Sequence, residues 1–320
     1  MSQTTRKKEK IFNPYMKQSI FVRPFQFYGD YKDFVFSQDR IENANIYFIV
    51  ERLRIRFIPE KISVKPTGEM RFVFNRTGRN FKLSVDFARI LLESHLTSEM
   101  KRVTSTTLFG LDMSKVMRQI SNNNKGITAG CVFDIHSSST DILKFTVFNT
   151  NGFSIDGYLS PHGLLSREII DFNNFSQLLY VGKSKDISNR SVKHEKILQA
   201  LAECSDDKDI YLFFCEFDEN QITLIPMAGN RMLVSNDSVK DIDKIPKIEL
   251  IEMCLINYFK PLCNEGYKYT DIINNKKVDE YLKANEYTKI VIETDHDHAF
   301  WRFGSDFIQP SLRHEIIFEW

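Results

Sequence analysis

The sequence has no run of about 18 apolar residues, so no membrane-spanning helix and no membrane partner are expected. It also has almost no net charge. Forty-three Lys and Arg against 42 Asp and Glu leave +1, which excludes a chain that is a polycation as a whole and confines nucleic-acid contact to local patches. Cysteine is scarce. The five present are odd in number and form no CxxC pair, which excludes a disulfide framework or a zinc finger and fits a reducing, cytoplasmic setting. The first residues carry Arg6, Lys7, Lys8 and Lys10 but lack the apolar stretch of a signal peptide. No internal repeat is visible.

Aromatic residues are plentiful. The 27 Phe and 12 Tyr among 320 residues indicate a folded chain rich in strand. That length suggests two domains with a C-terminal extension. Residues 1–20 read as a basic, disordered arm. Residues 21–160 read as a mostly β domain. In it Ile46–Ile58 alternates as one strand, with Arg52, Arg54 and Arg56 on a single face. Met70–Phe74 and Phe81–Val85 flank a hairpin loop at Asn75–Asn80. Val85–Glu93 and Ser114–Ile120 are candidate helices; Val132–Ile135 and Leu143–Phe148 are further strands.

The character changes at Ser160-Pro161-His162-Gly163. Over 161–275 the expected order is strand (Glu168–Phe172), strand (Gln177–Val181), helix (Asp186–Cys204), a hairpin (Ile210–Phe217 with Gln221–Pro226) and helix (Pro246–Phe259). Pro246 is tolerated in the first turn of that helix and Pro261 stops it. The fold class is therefore α+β: a mostly β domain followed by a small α/β domain with a central antiparallel sheet flanked by helices. The extension, 276–320, holds a short helix and two strands, Lys289–Glu293 and His314–Trp320.

Two segments carry chemistry. In Leu179-Tyr180-Val181-Gly182-Lys183 a strand ends at a glycine that permits a tight turn, and a helix with Arg190 and His194 one turn apart follows. A phenol, a guanidinium and an ammonium beside one cleft suit an anionic phosphate. In the second helix Ile248, Ile251, Leu255 and Phe259 form an apolar stripe. Glu252 stands at its edge, with Glu249 one turn earlier and Lys260-Pro261 and Asn264 beyond. One or two carboxylates with substrate phosphates typify a Mg²⁺ site. Each segment alone is also compatible with a solvated helix face.

Taken together, in this order and spacing, the two segments resemble the ends of the GIY-YIG nuclease domain. Tyr180-Val181-Gly182-Lys183 is similar to the family's second signature, Arg190 falls at its arginine, Glu252 at its metal-binding glutamate and Asn264 at its closing asparagine. The resemblance covers about 100 residues. It implies a Mg²⁺- or Mn²⁺-dependent endonuclease that hydrolyses phosphodiester bonds in DNA, a layout that suits restriction or defence. Glu252 would hold the metal, Arg190 would neutralise charge on the phosphate, Tyr180 would orient the water, and Lys183 would hold the phosphate. The sequence departs from the family at its first signature tyrosine. That register falls on Glu168-Ile169-Ile170-Asp171, leaving Tyr180 or His194 to activate water. A nuclease-derived adaptor that binds nucleic acid or protein without cutting is the alternative. Cutting both strands would need two sites or successive visits, which a homodimer would satisfy.

Other features are weaker. Arg52, Arg54 and Arg56, with Arg71, Arg76, Arg79 and Lys82 on the next hairpin, either track a phosphate backbone or form a solvated face with salt bridges. Phe72, Phe74 and Phe81 interleave with them. Asp295-His296-Asp297-His298 reads as a polar turn before Trp301, and Ile316–Trp320 as structural packing.

Overall fold

The computed structural model describes residues 9–27, 39–64, 69–86, 108–109, 129–134, 140–149, 154–167, 175–183, 195–227, 230–235, 244–272, 275–295 and 302–319. It is a mixed structure with more strand than helix. Its main sheet has eight strands: β1 (Glu9–Val22), β2 (Ile46–Leu53), β3 (Ser176–Lys183), β4 (Lys208–Met227), β5 (Asn230–Ser235), β6 (Lys289–Asp295), β7 (Phe303–Gly304) and β8 (Arg313–Glu319). The spatial order is β7-β3-β2-β4-β1-β6-β8, with β5 paired to the far part of β4. Neighbours are antiparallel except β1 with β6 and β3 with β7.

The sheet is curled, so its two ends meet. Phe303 in β7 pairs with Ser311 just before β8, and His314 Nε2 of β8 lies 2.8 Å from the Phe303 carbonyl. Inside the curl lies a helix, Lys244–Phe259. Leu250, Ile251, Met253, Cys254, Leu255, Ile256 and Phe259 are all buried, so this helix is wrapped rather than laid on a surface. In chain order the helices are α1 (Asp39–Glu42), α2 (Pro161–Arg167), α3 (Glu195–Glu203), α4 (Lys244–Phe259) and α5 (Lys276–Ala284). α5 starts on an N-cap in which Asn275 Oδ1 accepts from the amides of Lys277 and Val278. The opposite face of the sheet has its own core, where Ile197 and Ala200 of α3 and Ile41 of α1 meet Tyr47, Ile49, Leu212 and Phe214. Among the described residues, no helix is long and apolar enough to cross a membrane.

Two four-stranded sheets arise from the stretch between β2 and α2. One joins Ile55–Phe57, Ser63–Val64, Glu69–Arg76 and Arg79–Asp86; the other joins Leu108–Phe109, Ala129–Asp134, Leu143–Asn149 and Ser154–Leu159. Phe57, Phe72 and Phe74 are buried in the first, with Phe74 stacked on Phe81 at 5.0 Å.

Several expectations need correction. The segment read as a disordered arm forms β1 from Glu9 onward, between β4 and β6. Ile11, Phe12, Met16 and Phe21 are buried, and that burial outweighs the flanking lysines. The expected strand Ile46–Ile58 breaks at Arg54, where the chain leaves the main sheet for the next one. The hairpin proposed at Asp218–Asn220 is absent. These residues pair with Tyr15, Pro14 and Asn13, inside one continuous strand β4, and the real reversal joins β4 to β5. The Asn75–Asn80 loop is tighter than expected. Only Thr77 and Gly78 turn, with φ of 46° and 81°, a left-handed pair of the kind that closes a two-residue hairpin. Finally, β2 comes from the proposed N-terminal region, β3 and β4 from 161–275, and β6 to β8 from the extension. All of them share one sheet. The candidate strand Glu168–Phe172, the candidate helix Ser114–Ile120 and His296–Trp301 lie outside the described residues, as does most of Val85–Glu93.

Candidate active site

The site is built at the end of β3. Its antiparallel partner on one side is β2, in the register Val181 with Phe48, Gly182 with Tyr47 and Lys183 with Ile46. Side chains alternate along a strand. Tyr180 and Gly182 therefore face the core that holds Tyr47, while Val181 faces the α4 core. The Tyr47 and Tyr180 rings lie 5.9 Å apart, tilted by 36°. Tyr47 is buried, and its ring end occupies the space above Gly182. A Cβ at that position would lie 2.5 Å from Tyr47 Cζ and Oη and 2.7 Å from Tyr180 Cε1. Glycine at 182 is thus what admits the tyrosine pair.

The other edge of β3 is closed by the turn after α4. The Cys263 amide donates to the Leu179 carbonyl at 2.8 Å. Asn264 imitates a strand: its Oδ1 accepts from the Val181 amide and its Nδ2 donates to the Val181 carbonyl, both at 2.9 Å. Asn264, placed by the resemblance at the closing asparagine, is buried, with both halves of its amide engaged in holding β3 to the turn after α4.

That clamp fixes Glu252. Its Oε1 accepts from the Lys183 amide at 3.0 Å, and Lys183 Nζ lies 3.1 Å from Glu249 and 3.5 Å from Glu252. Burial pushes the Glu252 carboxyl above its ordinary value, outweighing the Lys183 charge and hydrogen bonds that pull it down. For Lys183 burial acts downward, but the hydrogen bond to Glu249 and the two carboxylate charges win and hold the ammonium above its ordinary value. Covalent geometry from Gly182 to the Lys183 amide caps the separation of Tyr47 Oη and the Glu252 carboxylate at about 9–10 Å.

Of the residues read from the sequence, Tyr180, Lys183 and Glu252 are therefore brought to one strand end. Arg190 and His194 lie outside the described residues. The sequence reading missed Tyr47. Its signal, Ile46-Tyr47 opening an apolar strand, stands far from Tyr180 along the chain, and only the pairing of β2 with β3 relates the two.

The arginine face fares differently. Arg52 is buried, and loss of solvation pushes its guanidinium down to about 9. Arg54 and Arg56 converge on Asp209, which is almost fully buried in β4. Arg56 forks onto both of its oxygens, Arg54 Nε lies 3.3 Å away and Arg23 Nη2 3.1 Å away. Arg23 and Arg56 also pair with Asp141. Burial acts upward on Asp209, yet the Arg56 hydrogen bond and the three arginine charges hold its carboxyl below the ordinary range. His162 of α2 is buried close by, its ring edge-on to Tyr211 at 5.4 Å. Burial, and then the charges of Arg52, Arg23 and Arg56, push its imidazole well below the ordinary value. This cluster joins the main sheet to the inserted segment and does not present Arg52, Arg54 and Arg56 together to a phosphate backbone. Arg76 and Arg79 sit opposite each other beside the Thr77-Gly78 turn, with Arg79 exposed.

Among the described residues, no three His, Cys, Asp or Glu side chains form a ready-made metal cage. The Glu249 and Glu252 carboxylates do converge on one cationic group, the Lys183 ammonium. That donor set fits a hard divalent ion completed by phosphate oxygens and water. No family model, no curated protein and no solved structure matches the chain.

Proposed function

We propose that this chain is a divalent-metal-dependent endonuclease of the GIY-YIG kind that hydrolyses phosphodiester bonds in DNA. The observation that carries the reading is the register of β2 on β3. It sets Tyr47 of an Ile-Tyr strand opposite Gly182 of a Tyr-Val-Gly strand, with Glu252 bonded to the next amide. An Ile-Tyr strand paired with a Tyr-Val-Gly strand resembles the two signatures for which the family is named, with Asn45 where the first has its glycine. Here the inserted stretch from Arg54 to Phe175 separates them in sequence. The adaptor alternative turns on the missing first tyrosine, and this reading assigns that role to Tyr47.

In this mechanism Tyr47 and Tyr180 bracket the attacking water by hydrogen bonds and hold it in line with the scissile phosphorus. Glu252, with Glu249 beside it, would hold the metal, whose Lewis acidity lowers the charge penalty at the phosphate. Lys183 leaves its carboxylate partners to meet a non-bridging oxygen as the phosphate enters. Arg190, on the segment that leaves β3, is assigned the same oxygens by the resemblance. The phenols are good hydrogen-bond donors but weak bases at neutral pH, so their main contribution is orientation, with proton transfer passing to water.

Plasmid DNA incubated with Mg²⁺ or Mn²⁺ should be nicked by the wild-type chain, and not by Glu252→Ala or after chelation. Cleavage that survives Glu252→Ala would remove Glu252 from the chemistry. Absence of cleavage across DNA and RNA substrates would favour an adaptor.

A further inference from the structure

A second surface lies at the other end of α4. Tyr269 and Phe307 are 79% and 59% exposed, and Leu262 beside them is 64% exposed. Lys260 Nζ lies over both rings, 5.6 Å from the centroid of Tyr269 and 5.5 Å from that of Phe307. Lys268 adds a second ammonium, donating to the Leu262 carbonyl at 2.9 Å. The arrangement is held from below. Asn257 Nδ2 reaches the carbonyls of Tyr267 and Thr270 at 3.3 and 2.8 Å, fixing the turn that displays Tyr269.

Lys260 occupies an unusual backbone position. It follows the last residue of α4 with φ of +49°, the left-handed conformation in which helices commonly end on glycine. A side chain there costs about 1 kcal/mol or more relative to glycine. The strained backbone at Lys260 carries a side chain whose ammonium reaches both exposed rings.

Rings that stack, with cations between and beside them, complement a polymer of flat bases on an anionic backbone. We infer that Tyr269, Phe307 and Lys260 form a platform for unpaired nucleic-acid bases next to the cleavage site. The inference rests on the nuclease reading for its direction. Glu252 and Lys260 are two helical turns apart, about 12 Å along α4, a span of a few nucleotides. On the nuclease reading, the substrate class becomes DNA with a single-stranded stretch near the cut.

The test is fluorescence anisotropy of the whole chain with a short fluorescein-labelled oligothymidylate in EDTA, beside an abasic oligonucleotide of equal length. Tyr269→Ala and Phe307→Ala should each weaken oligothymidylate binding about tenfold, and leave abasic binding unchanged. Unchanged affinity in the double variant would overturn the platform. So would an equal loss on the abasic strand, ring-dependent duplex binding of the same strength, or a wild type that binds no oligonucleotide. Glu252→Gln separates the two readings. A wild type that never cuts, yet binds oligothymidylate through the rings, keeps the platform and loses the nuclease. One that cuts in a Glu252-dependent way with ring-independent binding does the reverse.

Discussion

Replacing Gly182 by alanine adds one methyl group where the structure has no room for it. The added carbon would sit 2.5 Å from the Tyr47 ring and 2.7 Å from that of Tyr180, well inside contact distance. Tyr180 is half-buried and can yield. Tyr47 cannot, because its ring is rigid, 4% exposed and packed against Phe214 at 6.3 Å. Overpacking of this kind costs about 1–3 kcal/mol. Displacing the phenols by about 1 Å should slow cleavage on the order of 10²-fold, since orientation is their contribution. Urea denaturation measures the first effect, and single-turnover nicking of plasmid with Mg²⁺ the second. The cause is isolated by repeating Gly182→Ala in a Tyr47→Ala background. With the ring gone, the methyl should cost less than about 0.5 kcal/mol, giving a coupling well above the error of a double-mutant cycle. An alanine that is silent in both assays, or equally costly in the two backgrounds, would refute the packing of Tyr47 over Gly182.

Asp209→Asn should destabilise the chain by about 3–5 kcal/mol, because Arg23, Arg54 and Arg56 lose their shared buried counter-ion. The Asp209 carboxyl is held below its ordinary value in the fold. Its contribution is therefore complete above the unfolded carboxylate pKa and is lost as pH falls through the lowered one, so urea midpoints of wild type and Asp209→Asn should converge in acid. Glu252 has the opposite sign. Raised in the fold, its favourable contribution is present below the unfolded pKa and lost as pH rises through the raised one. Glu252→Gln, which keeps an acceptor for the Lys183 amide, should unfold at higher urea than wild type at pH 7 while losing cleavage. Asn264→Ala leaves the Val181 amide and carbonyl unsatisfied and should cost about 1–3 kcal/mol for each, with accelerated hydrogen exchange at Val181 as its signature. Lys260→Gly should hold or raise stability by relieving the left-handed backbone, yet weaken oligonucleotide binding.

What could be read from the sequence was whatever is encoded locally. α4 announces itself by its apolar stripe and by Pro246 and Pro261, and β3 by its run into Tyr-Val-Gly. Lys183 and Glu252 were legible because each sits at a fixed step from such a landmark. Pairing partners were not legible, because hydrogen bonds between strands join backbone groups and leave little trace in side-chain identity. β1 was hidden by lysines that reach solvent at the strand's rim, although Phe12 and Met16 beneath them are buried. Asp218-Glu219-Asn220 has the chemistry of a turn. Its place in β4 is fixed by β1 alongside, a tertiary override of local preference. Arg52, Arg54 and Arg56 alternate as a solvated strand face would, and nothing nearby in sequence foretells that Asp209 gathers two of them. Tyr47 is the costliest of these omissions. Two additional sheets are inserted between the paired strands β2 and β3, so no local spacing relates Tyr47 to Tyr180.

If phenols from two distant strands act on one phosphate, Tyr47→Phe reads that action out with the fewest other changes. The substitution keeps the ring, its packing over Gly182 and the fold, and removes a single hydroxyl. Measured under single-turnover conditions with Mg²⁺, the cleavage rate should fall on the order of 10²-fold, with the urea midpoint nearly unchanged and DNA affinity intact. A variant that cleaves at the wild-type rate would make Tyr47 a packing residue and contradict the site described here.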